Sequence, residues 1–435
     1  MNSNKKTRDI AGRRAFLAST LGLAGAAALS ACGVSGGTQP TTTKARVVVV
    51  GGGFGGATAA KYIRQFDPNI AVTMIDAQAN HITCPFSNLV LAGDKSMADI
   101  TQTFDALRSQ HGINVVQGLV VEVDGVGRKV TLADGQSFAY DRLVLSPGID
   151  FKYESIAGLT PEVAATRMPH AWQAGAQTLL LRRQLEAMPD GGVFVMSAPP
   201  NPFRCPPGPY ERASLVASYF KKHKPKSKVL ILDAKPDFSK QGLFEAGWKS
   251  EYPGMIEWVS KDMGGTVVGV DPAGMMVMAD EHHKASVANI IAPQKAGKIA
   301  FVAGLTDKTG WCPVDQKTYE STLIKAIHVI GDAAIAGPLP KSGYSANSEA
   351  KVCAAAIVAL VNGRTVPEPS WVNTCYSLVA PDYGISVAAV YRLEAGKTVA
   401  VKGAGGISPA DGNKHLEAVY AQGWYDAITQ DIWKS

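Results

Sequence analysis

The sequence lacks the patterns that mark several common protein classes. None of its six cysteines forms a C-x-x-C pair and no C-x-x-C-H occurs, so the chain attaches no c-type haem of its own and offers no obvious zinc or other metal site. The apolar stretch within residues 1–31 is too short and too rich in Ala and Gly to indicate a membrane span. Four of the six net positive charges lie in residues 1–31, and the two that remain do not indicate nucleic-acid binding.

The N-terminal 31 residues read as a targeting segment. Arg13-Arg14-Ala-Phe-Leu precedes a weakly apolar stretch, which is typical of a twin-arginine export signal and predicts a periplasmic protein. Leu29-Ser-Ala-Cys32 also fits a lipoprotein cleavage box in which Cys32 would carry the lipid and tether the protein to a membrane; ordinary cleavage nearby, with Cys32 idle, fits equally well. Export implies an oxidising compartment in which cysteines can pair.

The strongest local motif follows a run of four valines, Val47 to Val50, which is typical of a strand buried on both faces. Gly51, Gly53 and Gly56 then have G-x-G-x-x-G spacing before a segment rich in alanine. Such glycines permit a tight turn and close approach of a pyrophosphate to a helix N-terminus. Asp76 ends the next predicted strand, 20 residues after Gly56, where a ribose hydroxyl needs an acceptor. The pattern predicts dinucleotide binding.

A second Rossmann-like unit is predicted over residues 151–290, but its turn is unusual. Between the predicted strands at 192–197 and 228–233 the turn contains Pro199, Pro200, Pro202, Pro206 and Pro207 in place of a glycine motif. Proline has no N–H, so this loop cannot cradle a pyrophosphate. The fold is therefore predicted without a nicotinamide site, which disfavours a type II NADH dehydrogenase.

A further glycine motif completes the first unit. Gly331-Asp332 ends a predicted strand, and in two-domain flavoproteins this aspartate lies near the ribityl chain. A helix is predicted at 348–360, and its N-terminus would face the flavin. The segment just before this helix contains the candidate cofactor residues Lys341, Gly343, Tyr344 and Asn347. The two glycine motifs together predict FAD as the cofactor.

The organisation predicted from these patterns is α/β, with two Rossmann-like domains of the FAD/NAD(P)-binding type and a C-terminal interface domain. The boundaries are a signal peptide at 1–31, a linker at 32–44, an FAD domain at 45–150 and 291–365, a second Rossmann-like domain at 151–290, and an interface domain at 366–435.

Three cysteines lie where chemistry is plausible. Cys84 lies in the loop after Asp76 and is either a free thiol or a point of covalent attachment for the flavin. Cys205 lies in the proline-rich loop and Cys375 beyond the last predicted helix; a Cys205–Cys375 disulfide is one of many pairings that the spacing leaves open. Cys312 and Cys353 read as structural.

Several long runs of sequence carry a family resemblance. They are VVVGGGFGGATAAKYI, Thr-Cys84-Pro-Phe-Ser-Asn, Pro-Phe-Arg-Cys205-Pro-Pro-Gly-Pro-Tyr-Glu211-Arg-Ala-Ser, Gly-Trp-Cys312-Pro-Val-Asp, His-Val-Ile-Gly-Asp332-Ala, Pro-Lys-Ser-Gly-Tyr-Ser-Ala-Asn347 and Asn-Thr-Cys375-Tyr-Ser. With these runs the chain resembles the flavoprotein subunit of flavocytochrome c sulfide dehydrogenase over nearly its whole predicted exported length.

The resemblance implies a glutathione-reductase-like fold and specific roles for the cysteines. It implies that Cys84 holds FAD as a thioether, that Cys205 and Cys375 form a redox disulfide, and that Glu211 is a nearby acid/base. It also implies sulfide as substrate and a separate c-type cytochrome as partner. The lipid-box pattern at Cys32 departs from the family.

Three other functions remain as alternatives. A sulfide:quinone oxidoreductase would share the cysteines and pass electrons to a membrane quinone. A flavin electron-transfer module would have no substrate chemistry, and its cysteines would be idle. A type II NADH dehydrogenase is disfavoured by the proline-rich loop.

Overall fold

A computed structural model describes residues 43–434 of this chain. The predicted export signal and Cys32 lie outside the described residues. The strands, in chain order, are β1 Ala45–Val50, β2 Ile70–Asp76, β3 Asn80–Ile82, β4 Thr101–Thr103, β5 Asn114–Gln117, β6 Val120–Asp124, β7 Lys129–Leu132, β8 Ser137–Ala139, β9 Arg142–Leu145, β10 Ile149–Phe151, β11 Val193–Ala198, β12 Lys228–Asp233, β13 Ile256–Val259, β14 Gly269–Asp271, β15 Met276–Met278, β16 His282–Lys284, β17 Val287–Ile290, β18 Gln294–Ala296, β19 Cys312–Pro313, β20 Ile327–Val329, β21 Ala334–Ile335, β22 Ser370–Ala380, β23 Tyr383–Glu394 and β24 Lys397–Ile407.

The helices surround and connect these strands. They are α1 Phe54–Phe66, α2 Ser87–Ala92, α3 Asp105–Ser109, α4 Pro161–Thr166, α5 Ala176–Ala187, α6 Gly208–His223, α7 Gln241–Glu251, α8 Lys298–Val302, α9 Gly343–Val361 and α10 Lys414–Thr429, after which Gln430–Lys434 forms a turn of π-helix. No helix within residues 43–434 has the length and apolar character needed to cross a membrane.

Two parallel sheets form the centre of the fold. The first has strand order β20-β9-β1-β2-β5, with every neighbouring pair parallel. The second has the order β13-β12-β11-β17 and is also parallel throughout. Both lie among buried apolar residues, as expected of strands covered on both faces. The predicted α/β class with two Rossmann-like units is confirmed; the predicted domain boundaries stay predictions.

The C-terminal region is built on an antiparallel sheet. Strands β22, β23 and β24 pair in order, and α10 packs against β23 and β22. Strand β22 also contacts α6 and α7, so a segment near the C-terminus reaches the second Rossmann-like unit. This contact brings the residues of β22 to the site described below.

The helix predicted at 348–360 begins five residues earlier. Helix α9 starts at Gly343, and the Ser342 side chain caps it by accepting a hydrogen bond from the Ser345 N–H at 3.0 Å. The prediction was wrong because it took the Ser-Gly-Tyr-Ser stretch as a loop, whereas a serine N-cap starts the helix within it. Asn347 therefore lies inside the helix.

Candidate functional site

A cavity of about 510 Å³ opens at the carboxyl ends of β1, β2 and β9. Ligands in open α/β sheets bind at this edge. The predicted cofactor residues that line the cavity are Gly51, Gly53, Asp76, Cys84, Gly331, Asp332 and Gly343. The sequence motifs thus converge on one cavity, although they come from three distant parts of the chain.

The glycine loop of this cavity has no room for side chains. Gly51 has a φ of +102°, and a Cβ there would lie 2.3 Å from the Ser146 carbonyl oxygen. A Cβ at Gly56 would lie 1.7 Å from the Gly51 carbonyl oxygen. Gly56 therefore packs α1 against the loop and does not itself line the cavity. This is the close helix–strand packing that the third glycine of such a motif provides.

Two aspartates stand at different points of the same cavity. Asp76 accepts hydrogen bonds from the Gly52 N–H at 2.6 Å and the Gln78 N–H at 2.7 Å, and burial raises its pKa. Burial also raises the pKa of Asp332, against the opposing charge of Arg204, whose Nη1 lies 3.6 Å from Oδ2. The buried Asp332 Oδ1 has no partner among the described residues. An unpaired buried acceptor indicates a donor supplied by a ligand.

These features fit a flavin dinucleotide. The glycine loop leaves space for a pyrophosphate at the N-terminus of α1, Asp76 stands where a ribose binds, and Asp332 has an acceptor oxygen to spare. His81 also lines the cavity and stacks on Trp433 with ring centroids 5.1 Å apart. Desolvation lowers the pKa of His81 to about 4, so it is neutral at pH 7. The sequence pattern did not single out His81.

A second, smaller cavity of about 90 Å³ adjoins the first. Cys84, Cys205, Cys375 and Glu211 line it together. Cys84, Arg204 and Gly343 line both cavities, so the two share a wall. Cys84, Cys205 and Cys375 are partly buried free thiols in the structure, whereas Cys312 and Cys353 are buried elsewhere.

Cys205 is held in an uncommon backbone conformation. Its φ is +59°, a left-handed value that a residue with a side chain adopts at a cost of roughly 1–3 kcal/mol. Its N–H donates to the Lys341 carbonyl at 2.7 Å, and its carbonyl accepts from the Gly208 N–H at 2.8 Å. A Cβ at Gly208 would lie 2.9 Å from the Cys205 sulfur, so the glycine leaves room for the thiol.

Cys375 lies on β22 and is held by a polar group beside it. The Asn373 Nδ2 lies 3.5 Å from its sulfur, and the Asn373 Oδ1 accepts from the Ser342 hydroxyl at 2.7 Å. Desolvation raises the pKa of both Cys205 and Cys375, while the positive charge of Lys240 opposes the shift in each. Lys240 was not singled out in the sequence, because it lies outside every recognised motif.

Glu211 lies in the first turn of α6 and faces the same cavity. Its two carboxylate oxygens accept from the Asn88 Nδ2 at 2.8 Å and the Leu378 N–H at 2.9 Å. Asn88 in turn accepts from Nε of the buried Arg212 at 3.0 Å. Desolvation raises the pKa of Glu211 above that of an exposed carboxyl group, a direction that favours its protonated form.

Besides Gly56, three predicted cofactor residues lie outside the larger cavity. Tyr344 lines the cysteine cavity. Lys341 places its ammonium 3.9 Å from the centre of the Trp311 ring and donates to the carbonyls of Asp332 and Ala334. Asn347 donates to Thr58 and Asp431 and so joins helices. Lys341 and Asn347 thus bond to other protein groups and stabilise the elements around the cavity without lining it.

The proline-rich loop lines a separate cleft of about 510 Å³. Pro200, Pro202, Phe203, Pro206 and Trp311 are among the residues that line it. Prolines present no N–H to a phosphate. The loss of a nicotinamide site from this unit stays a prediction.

Comparison with known protein families matches three parts of the chain. Residues 178–292 match the family described as sulfide dehydrogenase [flavocytochrome c] flavoprotein chain, central. Residues 367–433 match flavocytochrome c sulphide dehydrogenase, flavin-binding. Residues 45–179 match pyridine nucleotide-disulphide oxidoreductase.

Individual proteins give similar results. The flavoprotein chain of a flavocytochrome c sulfide dehydrogenase from Chlorobaculum thiosulfatiphilum is 62% identical over 45 residues, which is 10% of this chain and 94% of that sequence. Mouse mitochondrial sulfide:quinone oxidoreductase is 22% identical over 300 residues, 66% of this chain and 65% of that protein. The crystal structure of sulfide:quinone oxidoreductase from Aquifex aeolicus aligns with a TM-score of 0.71 at 17% identity, covering 90% of this chain and 92% of that one. At that identity the structural match shows the shared fold.

Proposed function

The chain belongs to the family of flavocytochrome c sulfide dehydrogenase flavoprotein chains and is an FAD-dependent oxidoreductase; from this premise we propose that it oxidises sulfide at a redox disulfide and delivers the electrons to a c-type cytochrome. The observation that carries the proposal is the cysteine cavity, in which Cys205, Cys375 and Glu211 face one space beside the FAD cavity. The twin-arginine pattern supports a periplasmic location.

The residues that would hold FAD are those of the larger cavity. The glycine loop with the N-terminus of α1 would receive the pyrophosphate, Asp76 the ribose, and Asp332 a hydroxyl or N–H of the ligand. Cys84 lines both cavities, which supports a covalent thioether from its sulfur to the cofactor. When bound, FAD accepts the electron pair that is released as two thiolates re-form their disulfide, and it can return these electrons singly to a haem protein.

The first step is attack by hydrosulfide on the Cys205–Cys375 disulfide. A sulfur–sulfur bond forms between HS⁻ and one cysteine while the bond between the two cysteines breaks. One cysteine becomes a persulfide and the other a thiolate, so the single negative charge is conserved. Glu211 takes up a proton as the bound sulfur ionises, because its raised pKa keeps it able to exchange protons.

The second step releases the added sulfur. Glu211 first returns its proton to the outer sulfur of the persulfide. A second hydrosulfide then attacks that sulfur, the bond between it and the cysteine breaks, and the products are neutral disulfane and a cysteine thiolate. Both cysteines are then thiolates, which is the state that gives up two electrons and returns to the disulfide.

A sulfide:quinone oxidoreductase is the second candidate. One observation favours it: α10 leaves Leu416, Val419 and Tyr420 between 41% and 52% exposed, an apolar surface that could meet a membrane. The same surface could equally meet a protein partner. The two functions share the sulfide half of the reaction and differ in the acceptor.

The sulfide half is tested by anaerobic titration of the purified protein, followed by flavin absorbance. We expect sulfide to bleach the flavin and NADH to leave it oxidised. Cys205→Ser and Cys375→Ser should retain flavin and lose the response to sulfide, whereas Cys353→Ala, in the core of α9, should respond as wild type. Bleaching by sulfide in either serine variant at the wild-type rate would contradict the disulfide mechanism. Bleaching by NADH alone would favour the NADH dehydrogenase, and no response to either would favour the electron-transfer module.

A further inference from the structure

Lys240 is a buried lysine that directly precedes helix α7. Its backbone is left-handed, with φ +61°, and only 7% of the residue is exposed. The side chain passes beside the Phe244 ring, 5.8 Å from its centre, and its ammonium donates to the Ser377 hydroxyl at 2.9 Å. The backbone strain and the burial both indicate a position set by the surrounding structure.

The ammonium has no bonded counter-ion. No carboxylate among residues 43–434 lies within 4.0 Å of its Nζ, although taking an ammonium out of water costs several kcal/mol. Lys235, in the same Rossmann-like unit, shows the ordinary solution: it is equally buried, but its Nζ lies 2.5 Å from Asp233 Oδ1. Lys240 is thus a buried cation beside a site where an anion forms.

The groups that face Lys240 come from three directions. Cys375 lies on β22 and Glu417 on α10. Glu211 lies on α6, and Cys205 lies in the loop before α6. Ser377 lies two residues after Cys375, so both side chains point to the same face of β22, and both line the cysteine cavity. The contact with Ser377 therefore aims the ammonium at the cysteines.

The electrostatics agree with this placement. Burial lowers the pKa of Lys240 to about 8, and ionised Cys375 is the group that opposes this shift most strongly. Lys240 is in turn the largest influence that keeps the pKa of Cys375 from rising further. Arg212, a buried cation that itself lines the cavity, is already bonded to the His170 and Ala171 carbonyls.

We propose that Lys240 is a positioning residue whose ammonium, aimed by Ser377, is the counter-charge for the thiolate released when the Cys205–Cys375 disulfide opens. The assignment rests on the proposed disulfide chemistry. In the opening step HS⁻ brings one negative charge and the leaving cysteine keeps it, so a fixed positive charge favours the thiolate without a proton transfer.

The test measures the thiols without using sulfide. Wild-type holoenzyme and its variants are reduced, and the rate at which iodoacetamide alkylates Cys205 and Cys375 is followed by mass spectrometry from pH 6 to pH 11, because burial raises the pKa of both thiols. An opposite charge nearby shifts a pKa by roughly 1–3 units, so Lys240→Met should raise the midpoint of the alkylation profile by about one pH unit and slow alkylation about tenfold at pH 7. Lys240→Arg should keep the wild-type midpoint.

Controls separate this role from a structural one. Lys249→Met removes one exposed positive charge from α7, the helix that Lys240 precedes, and should leave the midpoint unchanged. A purely structural Lys240 would lower flavin content or melting temperature without moving the midpoint, and that result would overturn the proposal. If Lys240→Met does not fold, Ser377→Ala should shift the midpoint upward by a smaller amount, and an unchanged profile there would overturn it too.

The sulfide titration separates a failure of the role proposed for Lys240 from a failure of the proposed sulfide oxidation. Wild-type flavin that sulfide bleaches, combined with an unshifted profile in folded Lys240→Met, would refute the role of Lys240 alone. A shifted profile combined with no bleaching of wild type would support the counter-charge and refute sulfide oxidation.

Discussion

A cysteine that reacts at neutral pH needs surroundings that favour its thiolate. Around Cys205 and Cys375 desolvation acts in the opposite direction and raises both pKa values. The groups that compensate are Asn373 beside one sulfur and the ammonium of Lys240. The reactivity of these cysteines therefore depends on charges and donors contributed by other elements, and not on the cysteines alone.

Cys84 provides a test at the level of one atom. Its sulfur faces the larger cavity and lies 3.6 Å from the Trp172 carbonyl. If it forms a thioether with FAD, acid precipitation of wild type should leave the yellow colour in the pellet, and Cys84→Ser should release it to the supernatant. Cys312→Ser is the matched control. Release of FAD from wild type would contradict the covalent link.

Glu349 makes stability depend on pH. It is buried on α9, accepts from the Gly331 N–H at 2.7 Å, and burial raises its pKa to about 8. Between about pH 4.5 and 8 the unfolded chain releases a proton that the folded protein retains, so stability falls as pH rises through this window. Glu349→Gln keeps an acceptor for Gly331 and should remove this fall, which is on the order of a few kcal/mol.

The measurement is the melting temperature of the holoprotein at several pH values between 5 and 8.5. Glu257→Gln, at an exposed position of β13, serves as the control and should reproduce the wild-type slope. Equal slopes in wild type and Glu349→Gln would show that Glu349 does not hold the extra proton.

At the scale of elements, the C-terminal segment closes over the glycine loop. The Trp433 Nε1 donates to the Gly52 carbonyl at 3.3 Å, and its ring meets Phe54 edge-on with centroids 5.1 Å apart. Asp431 accepts from the Tyr62 hydroxyl at 2.7 Å and pairs with Lys351 at 2.9 Å. These bonds tie α1, α9 and the C-terminus into one wall of the FAD cavity.

Trp433→Ala should weaken that wall. Truncating a buried tryptophan costs about 3–5 kcal/mol, and here the loss falls on the loop that would hold the pyrophosphate. We expect a lower melting temperature and faster loss of any non-covalent flavin, which a combined Cys84→Ser background makes measurable. Tyr420→Ala, at a half-exposed position of α10, should change neither. Unchanged flavin retention in Trp433→Ala would contradict this role.

Helix α10 and the π-helical turn after it carry a single apolar stripe that is buried at one end and exposed at the other. Leu416, Tyr420, Trp424, Ile428 and Ile432 recur at every fourth residue, yet the first two are exposed and the last two are buried. The stripe therefore packs on its own protein at one end and leaves an apolar surface at the other. Only the exposed end can serve a partner.

At the scale of the whole molecule, the electron acceptor distinguishes the two candidate functions. With sulfide as donor we expect the protein to reduce a c-type cytochrome and to leave a water-soluble ubiquinone analogue oxidised. The measurement compares the two acceptors under anaerobic conditions, with Cys375→Ser as the blank. Reduction of the quinone alone would identify the sulfide:quinone oxidoreductase alternative.

Local sequence patterns determined much of the fold and of the FAD cavity. The valine run, the glycine spacing and Asp76 are adjacent in the chain, and each one imposes its own backbone geometry or burial. The proline-rich loop likewise predicted the loss of a pyrophosphate cradle, because the missing N–H groups are a property of the residues themselves. The start of α9 was misplaced because one serine can belong to a loop or cap a helix.

The tertiary structure alone decided which side chains share a space. Cys84, Cys205 and Cys375 meet because β22 packs against α6, and the pairing of elements so far apart in sequence leaves no local pattern. For the same reason Lys240 contacts Ser377 of the cysteine cavity and Trp433 stacks on His81 of the larger cavity. The charge that faces a cysteine, and the ring that closes a glycine loop, depend on packing between distant elements, and this packing is set by the burial of the whole core.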